Sequence, residues 1–317
     1  MENFMNTSKK SHLKNIVLSM VAAIGINQSA LAGNIDYTAT PNHYLSVEGS
    51  KYAYRTLGES NGKPALVLFQ HFTGTMDDWD SALINRLANK RQLYIFDNTG
   101  VGATEGTAPD NIPAMAKNAE KFIDALKLKK VDILGFSMGG SIGQQVLLDR
   151  PDLVRKAILV GTAPQGYTSE GGKELPVVMG EAFKKAGEAK THPKVFLFFT
   201  ETSEGQTAAT AFLKRISNHT VDAEKPTSEA TTNAQATAIV TWGRMPSNLT
   251  ALEKVKQPVL LVNGSNDVMA PTSMSFELFK HFQNAQLSLY PNSGHGALFQ
   301  YSDLFVSQVD TFLDATY

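Results

Sequence analysis

The chain has 317 residues, 42% of them hydrophobic, a formal net charge of −1 and no cysteine. That length and apolar content suit one large α/β domain with an insertion, or two small domains. The charge balance leaves no basic patch of the kind nucleic acid requires, and the missing thiols exclude disulfides, thiolate metal sites and a lipid-carrying cysteine.

Residues 1–32 read as a secretory leader. Lys9, Lys10 and Lys14 make a basic n-region, residues 16–26 a short apolar h-region, and Ala30-Leu31-Ala32 a small-residue cleavage site. The apolar stretch falls short of the about 20 residues that span a bilayer, so no membrane anchor is expected after cleavage. Losing Lys9, Lys10, Lys14 and Glu2 takes the net charge from −1 to about −3. Such a bacterial, Sec-type leader places the mature chain in the periplasm or the medium.

Residues 44–47 and 52–55, separated by Glu48-Gly49-Ser50, predict an antiparallel hairpin. The run 65–69 is continuous and apolar, as a buried parallel strand requires. The loop Gln70-His71-Phe72-Thr73-Gly74-Thr75 follows it, and then Trp79, Leu83, Ile84 and Leu87, which share a helical face. A strand at 93–96 runs into the turn Asp97-Asn98-Thr99-Gly100-Val101-Gly102. This turn lacks the lysine and the following helix of a phosphate loop, and Asp97 reads as a structural hydrogen-bonding residue. Met115, Ala119, Phe122, Ile123 and Leu126 mark a helix, residues 131–134 a strand, residues 141–149 a helix and residues 157–160 another strand.

The alternation stops over residues 164–252, which predict a helical cap inserted between a first core part (33–163) and a second (253–317). Phe212, Leu213 and Ile216 share one face, and Ala238, Ile239 and Trp242 another. The apolar run 195–199 serves either as the insertion's own core or as the roof of a substrate pocket. Strand 258–262, a helix through Met274, Leu278 and Phe282, strand 286–290 and a closing helix facing inward through Leu304, Phe305, Val309 and Phe312 complete the pattern.

Gly135-Phe136-Ser137-Met138-Gly139 lies between an apolar strand and a helix. This is G-x-S-x-G at a strand-to-helix turn, where a strained serine is lifted out of the sheet and glycines leave room for close packing. Asp267, in Asn263-Gly264-Ser265-Asn266-Asp267, and His295, in Ser293-Gly294-His295-Gly296, also sit just past strand ends. Ligands of parallel sheets bind at such ends, and the chain order Ser, Asp, His has its own structural precedent.

On these motifs the chain resembles the α/β-hydrolase superfamily over about residues 42–315, and looks most like small bacterial esterases, lipase-like hydrolases and non-haem haloperoxidases. Gln70 to Gly74 with Trp79, and Asp97 to Gly102, add to the resemblance. It implies an α/β-hydrolase fold: a mostly parallel, eight-stranded sheet flanked by helices, with a helical cap. It further implies a serine hydrolase of a small-molecule acyl substrate, with no cofactor.

Chemistry assigns the roles. Ser137 would be the nucleophile, His295 its general base, and Asp267 the group that fixes the imidazole tautomer. The backbone N–H groups of Phe72 and Met138 would receive the oxyanion. The family usually carries His-Gly before the oxyanion residue; here the pair is Gln70-His71, which reads His71 as structural or pocket-lining. Serine at the elbow argues against dehalogenases and epoxide hydrolases on this fold. Peroxide in place of water would give a perhydrolase, and an inert Ser137 a binding protein. His43, His192, His219 and His281 show no ligand spacing, so no metal is expected.

Overall fold

The structure, a computed structural model, describes residues 35–166 and 175–316. The leader expected over residues 1–32 lies outside the described residues. Strands β1 (His43–Val47) and β2 (Ser50–Leu57) form the expected hairpin. Strand β3 (Leu66–Phe69) precedes α1 (Ser81–Ala88), and β4 (Leu93–Phe96) precedes α2 (Ile112–Ala125). Strand β5 (Val131–Phe136) passes into α3 (Met138–Asp149), and β6 (Val154–Val160) follows. Between β6 and β7 (Val259–Gly264) the described residues form α4 (Leu175–Ala189), α5 (Lys194–Phe198), α6 (Ser203–Ile216), α7 (Glu229–Arg244) and α8 (Leu249–Leu252). Then come α9 (Thr272–His281), β8 (Ala285–Tyr290), α10 (Ala297–Gln300) and α11 (Ser302–Asp314).

The eight strands form one sheet in the order β1-β2-β4-β3-β5-β6-β7-β8. Only the β1/β2 and β2/β4 pairs are antiparallel. The central strands β3, β5 and β7 are buried along their whole length, because helices cover both faces. That double burial is why their sequences read as continuous apolar runs rather than alternating ones. Strand order reverses at β3: the chain moves first to β4 on one side and later to β5 on the other. Such a reversal leaves a crevice beyond the carboxyl ends of the two strands. The Phe72 loop follows β3 and Ser137 follows β5, so both border that crevice.

Trp79, Leu83, Ile84 and Leu87 are fully buried, although α1 begins only at Ser81, after its N-cap Asp80. The closing helix departs from expectation at one position. Phe305, Val309 and Phe312 face the core, but Leu304 is 44% exposed. Leu304 and Phe305 are adjacent, about 100° apart around a helix, and the narrow inward stripe of α11 takes only one of them. No helix among the described residues is long and apolar enough to cross a membrane.

Candidate active site

Ser137 has φ 57° and ψ −118°, a backbone conformation that non-glycine residues seldom adopt. Structure on both sides holds it there. Its N–H donates to the Val160 carbonyl on β6 (2.8 Å), and α3 starts at the next residue. A Cβ on Gly139 would overlap the Phe69 carbonyl, and one on Gly135 the Gly139 carbonyl. Strand and helix can therefore meet this closely only with glycine at both positions.

His295 and Asp267 come from the loops after β8 and β7. These loops are tied together by Ser265 N–H to the Tyr290 carbonyl (2.9 Å) and Asn266 N–H to the Ser293 carbonyl (2.9 Å). His295 Nδ1 lies 2.8 Å from Asp267 Oδ2, with both side chains buried. The other carboxylate oxygen, Oδ1, accepts from the Met269 and Ala270 N–H groups at 2.8 and 2.9 Å. Asp267 thus orders its own turn and holds the imidazole at once. With Nδ1 facing a carboxylate, the proton belongs on Nδ1 and the lone pair on Nε2. His295 Nε2 is buried and meets no hydrogen-bonding group among the described residues.

A cavity of about 180 Å³ brings Ser137 and His295 together. His71, Phe72 and Thr73 line one side of it; Met179, Phe183, His192, Pro193, Lys194, Leu197, Phe198 and Met269 complete the wall. Met138, the other expected oxyanion donor, is the first residue of α3, where backbone N–H groups lack an intrahelical acceptor. On the Phe72 loop, His71 N–H donates to Gln70 Oε1 (2.8 Å) and Thr73 N–H to Gln235 Oε1 (2.7 Å). Gln70 Nε2 in turn donates to the Thr75 carbonyl. The two N–H groups flanking Phe72 are thereby anchored, one of them by a residue of α7.

Two features around the site have little signal in the local sequence. Gly161 has φ 54°, and a Cβ there would stand 3.1 Å from the His295 ring and 3.4 Å from Asp267 Oδ2. It keeps space for the His–Asp pair, and only its place at a strand end hinted at this. Lys194 lines the cavity and pairs with Asp78 Oδ1. Its partner lies 116 residues away in sequence, beyond the reach of any local pattern. Part of the run 195–199 faces the cavity and part packs within the inserted helices. Leu197 and Phe198 line the cavity, while Phe198 and Phe199 pack on Phe212. Asp97 accepts from the Met76 N–H (2.7 Å), a structural bond.

His71 is buried, and burial first, then the Lys194 charge, push its imidazole down to about 3. An unfolded histidine titrates near about 6.5. Between these values the unfolded chain binds a proton that the folded chain does not. Stability therefore falls as pH drops through this window, by up to about 1.4 kcal/mol per pH unit from this one group. We expect His71→Gln to lose less unfolding free energy than wild type between about pH 6.5 and pH 4.5 in urea titrations. Parallel losses would assign the proton to another group.

A profile described as the α/β hydrolase fold matches residues 64–300. An α/β hydrolase fold protein from Chitinophaga pinensis superposes with a TM-score of 0.80 at 41% identity, covering 89% of this chain and 100% of that one. The pimeloyl-[acyl-carrier protein] methyl ester esterase of Nitrosomonas europaea is 26% identical over 252 residues, 78% of this chain and 94% of its own. The 2-hydroxy-6-oxo-6-(2'-aminophenyl)hexa-2,4-dienoic acid hydrolase of Metapseudomonas resinovorans is 24% identical over 91% of this chain and 96% of its own.

Proposed function

The chain belongs to the α/β-hydrolase fold family, and from that premise we propose an exported serine hydrolase that cleaves a small carboxylic ester or related acyl compound. One observation carries the reading. The His295–Asp267 pair leaves an unpartnered imidazole lone pair in the same cavity as a serine held in a strained turn. The relatives named above, a methyl ester esterase and a dienoic acid hydrolase, agree with acyl chemistry.

In this mechanism Ser137 Oγ attacks the scissile carbonyl carbon as His295 Nε2 takes its proton. The carbonyl oxygen gains the negative charge and is received by the Phe72 and Met138 N–H groups. A donor of this kind is worth about 3–4 kcal/mol in the transition state. His295 returns the proton to the leaving alkoxide, and the acyl group stays on Ser137. A water then gives its proton to His295, attacks the acyl-enzyme and releases the acid. Asp267 accepts from Nδ1–H throughout and stabilises the transient imidazolium. Methionine and phenylalanine side chains around the cavity keep the reacting atoms in an apolar setting, where these charges interact strongly.

The test is a fluorophosphonate probe with the wild type beside Ser137→Ala, together with turnover of p-nitrophenyl acetate and longer acyl esters. We expect labelling and turnover in wild type and neither in the variant, a fall in kcat of at least about 10⁴-fold. Folded wild type that is neither labelled nor active would point instead to a binding protein. Export rests on the leader reading of residues 1–32; mass spectrometry of the periplasmic or secreted protein should give an N-terminus at Gly33.

A further inference from the structure

Besides His295 the cavity is lined by His192, whose Nδ1 accepts from the Lys194 N–H (3.1 Å), and by His71, and the mechanism above uses the chemistry of neither ring. His71 Nδ1 lies 2.8 Å from the carbonyl oxygen of its neighbour Phe72. A carbonyl can only accept, so Nδ1 carries the proton and Nε2 is a bare lone pair. That Nε2 is buried and has no hydrogen-bonding partner among the described residues. The ring lines the cavity beside Ser137. His71 and His295 pack on the same two aromatic rings: His71 at 5.3 Å from both Phe136 and Phe198, His295 at 5.0 and 5.7 Å.

A histidine kept only for packing would be a poor choice here. Phenylalanine would suit the aromatic surroundings, and an unpaired buried acceptor costs roughly 1–3 kcal/mol. A second general base is also disfavoured: His71 Nδ1 faces a carbonyl rather than a carboxylate, and burial together with the Lys194 charge outweighs the help that Asp78 gives its cation. What remains is an acceptor waiting for a donor. No carboxylate is among the described residues that line the cavity, and Lys194 already engages Asp78, so nothing there would hold a cationic donor such as an ammonium. A cavity of about 180 Å³ favours the smallest neutral donor, a hydroxyl.

We propose that His71 Nε2 accepts a hydrogen bond from a hydroxyl on the acyl part of the substrate, making the protein selective for short hydroxyacyl esters over plain acyl esters. This rests on the serine-hydrolase reading for turnover, but the binding event does not require it. His71 is then a specificity-determining residue, and Ser137, His295 and Asp267 keep their roles. Its bond to the Phe72 carbonyl also couples this acceptor to the loop that carries an oxyanion donor.

The experiment compares methyl butanoate, methyl 2-hydroxybutanoate and methyl 3-hydroxybutanoate. In wild type, one hydroxy ester should exceed methyl butanoate in kcat/KM by about tenfold or more, as one buried hydrogen bond implies. In His71→Phe that ratio should fall to near one, and His71→Gln, which keeps an acceptor oxygen, should recover part of it. A second arm uses Ser137→Ala with His71 intact and ¹⁵N-labelled histidine. The hydroxy ester should move the His71 Nε2 resonance, and methyl butanoate should not. A ratio unchanged in His71→Phe, or a bound hydroxy ester that leaves Nε2 unmoved, overturns the proposal. An occupant that moves Nε2 equally with all three esters is a resident water, which also overturns it. Absence of turnover and of fluorophosphonate labelling would count against the hydrolase reading alone, since the Ser137→Ala arm reports on the acceptor independently.

Discussion

Asp267→Asn should lower kcat about 10⁴-fold while leaving the fold and ester binding in place. The size of the effect follows from where the two carboxylate oxygens point. Oδ1 accepts two backbone N–H groups, from Met269 and Ala270. An asparagine in the same position must keep its single oxygen there, because turning the amide over would set its NH₂ against two donors. The amide nitrogen then faces His295 Nδ1, 2.8 Å away in the native pair. A donor at that place makes Nδ1 the acceptor and moves the ring proton to Nε2. The imidazole that should take the Ser137 proton would then carry one of its own. Turnover of p-nitrophenyl acetate and the rate of fluorophosphonate labelling should fall together, with urea unfolding close to wild type. An asparagine variant retaining more than about a tenth of wild-type kcat would remove Asp267 from the mechanism.

The parts of the fold and of the site differ in how openly the sequence displays them. The run 65–69, the elbow Gly135 to Gly139 and the strand at 258–262 were legible because parallel strands buried on both faces leave unbroken apolar runs. Ser137 was legible because it directly follows such a run, and Asp267 and His295 because each sits in the loop after a strand, β7 and the edge strand β8. The resemblance to a family then joined three positions that no local pattern connects. The tautomer of His71 was not legible, since it depends on the direction of one carbonyl. Nor was the wrapping of the segment around the acidic stretch Asp77, Asp78 and Asp80. Asp78 pairs with Lys194, and Asp80 receives Arg215 through Nε and Nη2 at 2.6 and 2.7 Å. Asp77 accepts from Arg55 and from the Glu224 N–H. In sequence alone, the acidic stretch resembles any solvated turn. The cations and amides that claim it lie mostly in the insertion, 116 to 147 residues later.

Arg55→Leu should cost about 3–5 kcal/mol of stability, the penalty typical of leaving buried charge without its partner. Arg55 stands on β2 with no exposure at all. Its guanidinium donates to Asn42 Oδ1 (2.8 Å), Asp77 Oδ1 (2.7 Å) and the Asp222 carbonyl (2.9 Å). Glu224 lies at 3.9 Å, and Tyr37 beneath it at 5.5 Å. Asp222 and Glu224 belong to the segment between α6 and α7, so one side chain joins the sheet to the inserted helices. Leucine would fill much of the volume but would strand Asp77 and Glu224 together with Asp97. Burial already raises the Asp97 carboxyl well above the usual range, with the Glu224 charge adding to the effect; burial likewise raises Glu224. Carboxyls raised in this way bind protons more readily folded than unfolded, so their penalty is present at neutral pH and fades as pH falls through the raised values. The deficit of Arg55→Leu relative to wild type should therefore shrink as the solution is acidified from neutral, and adding Glu224→Gln should recover part of it at neutral pH. A deficit under about 1 kcal/mol, or one indifferent to pH, would mean that water replaces the guanidinium and that the sheet and the insertion are held mainly by their apolar contacts.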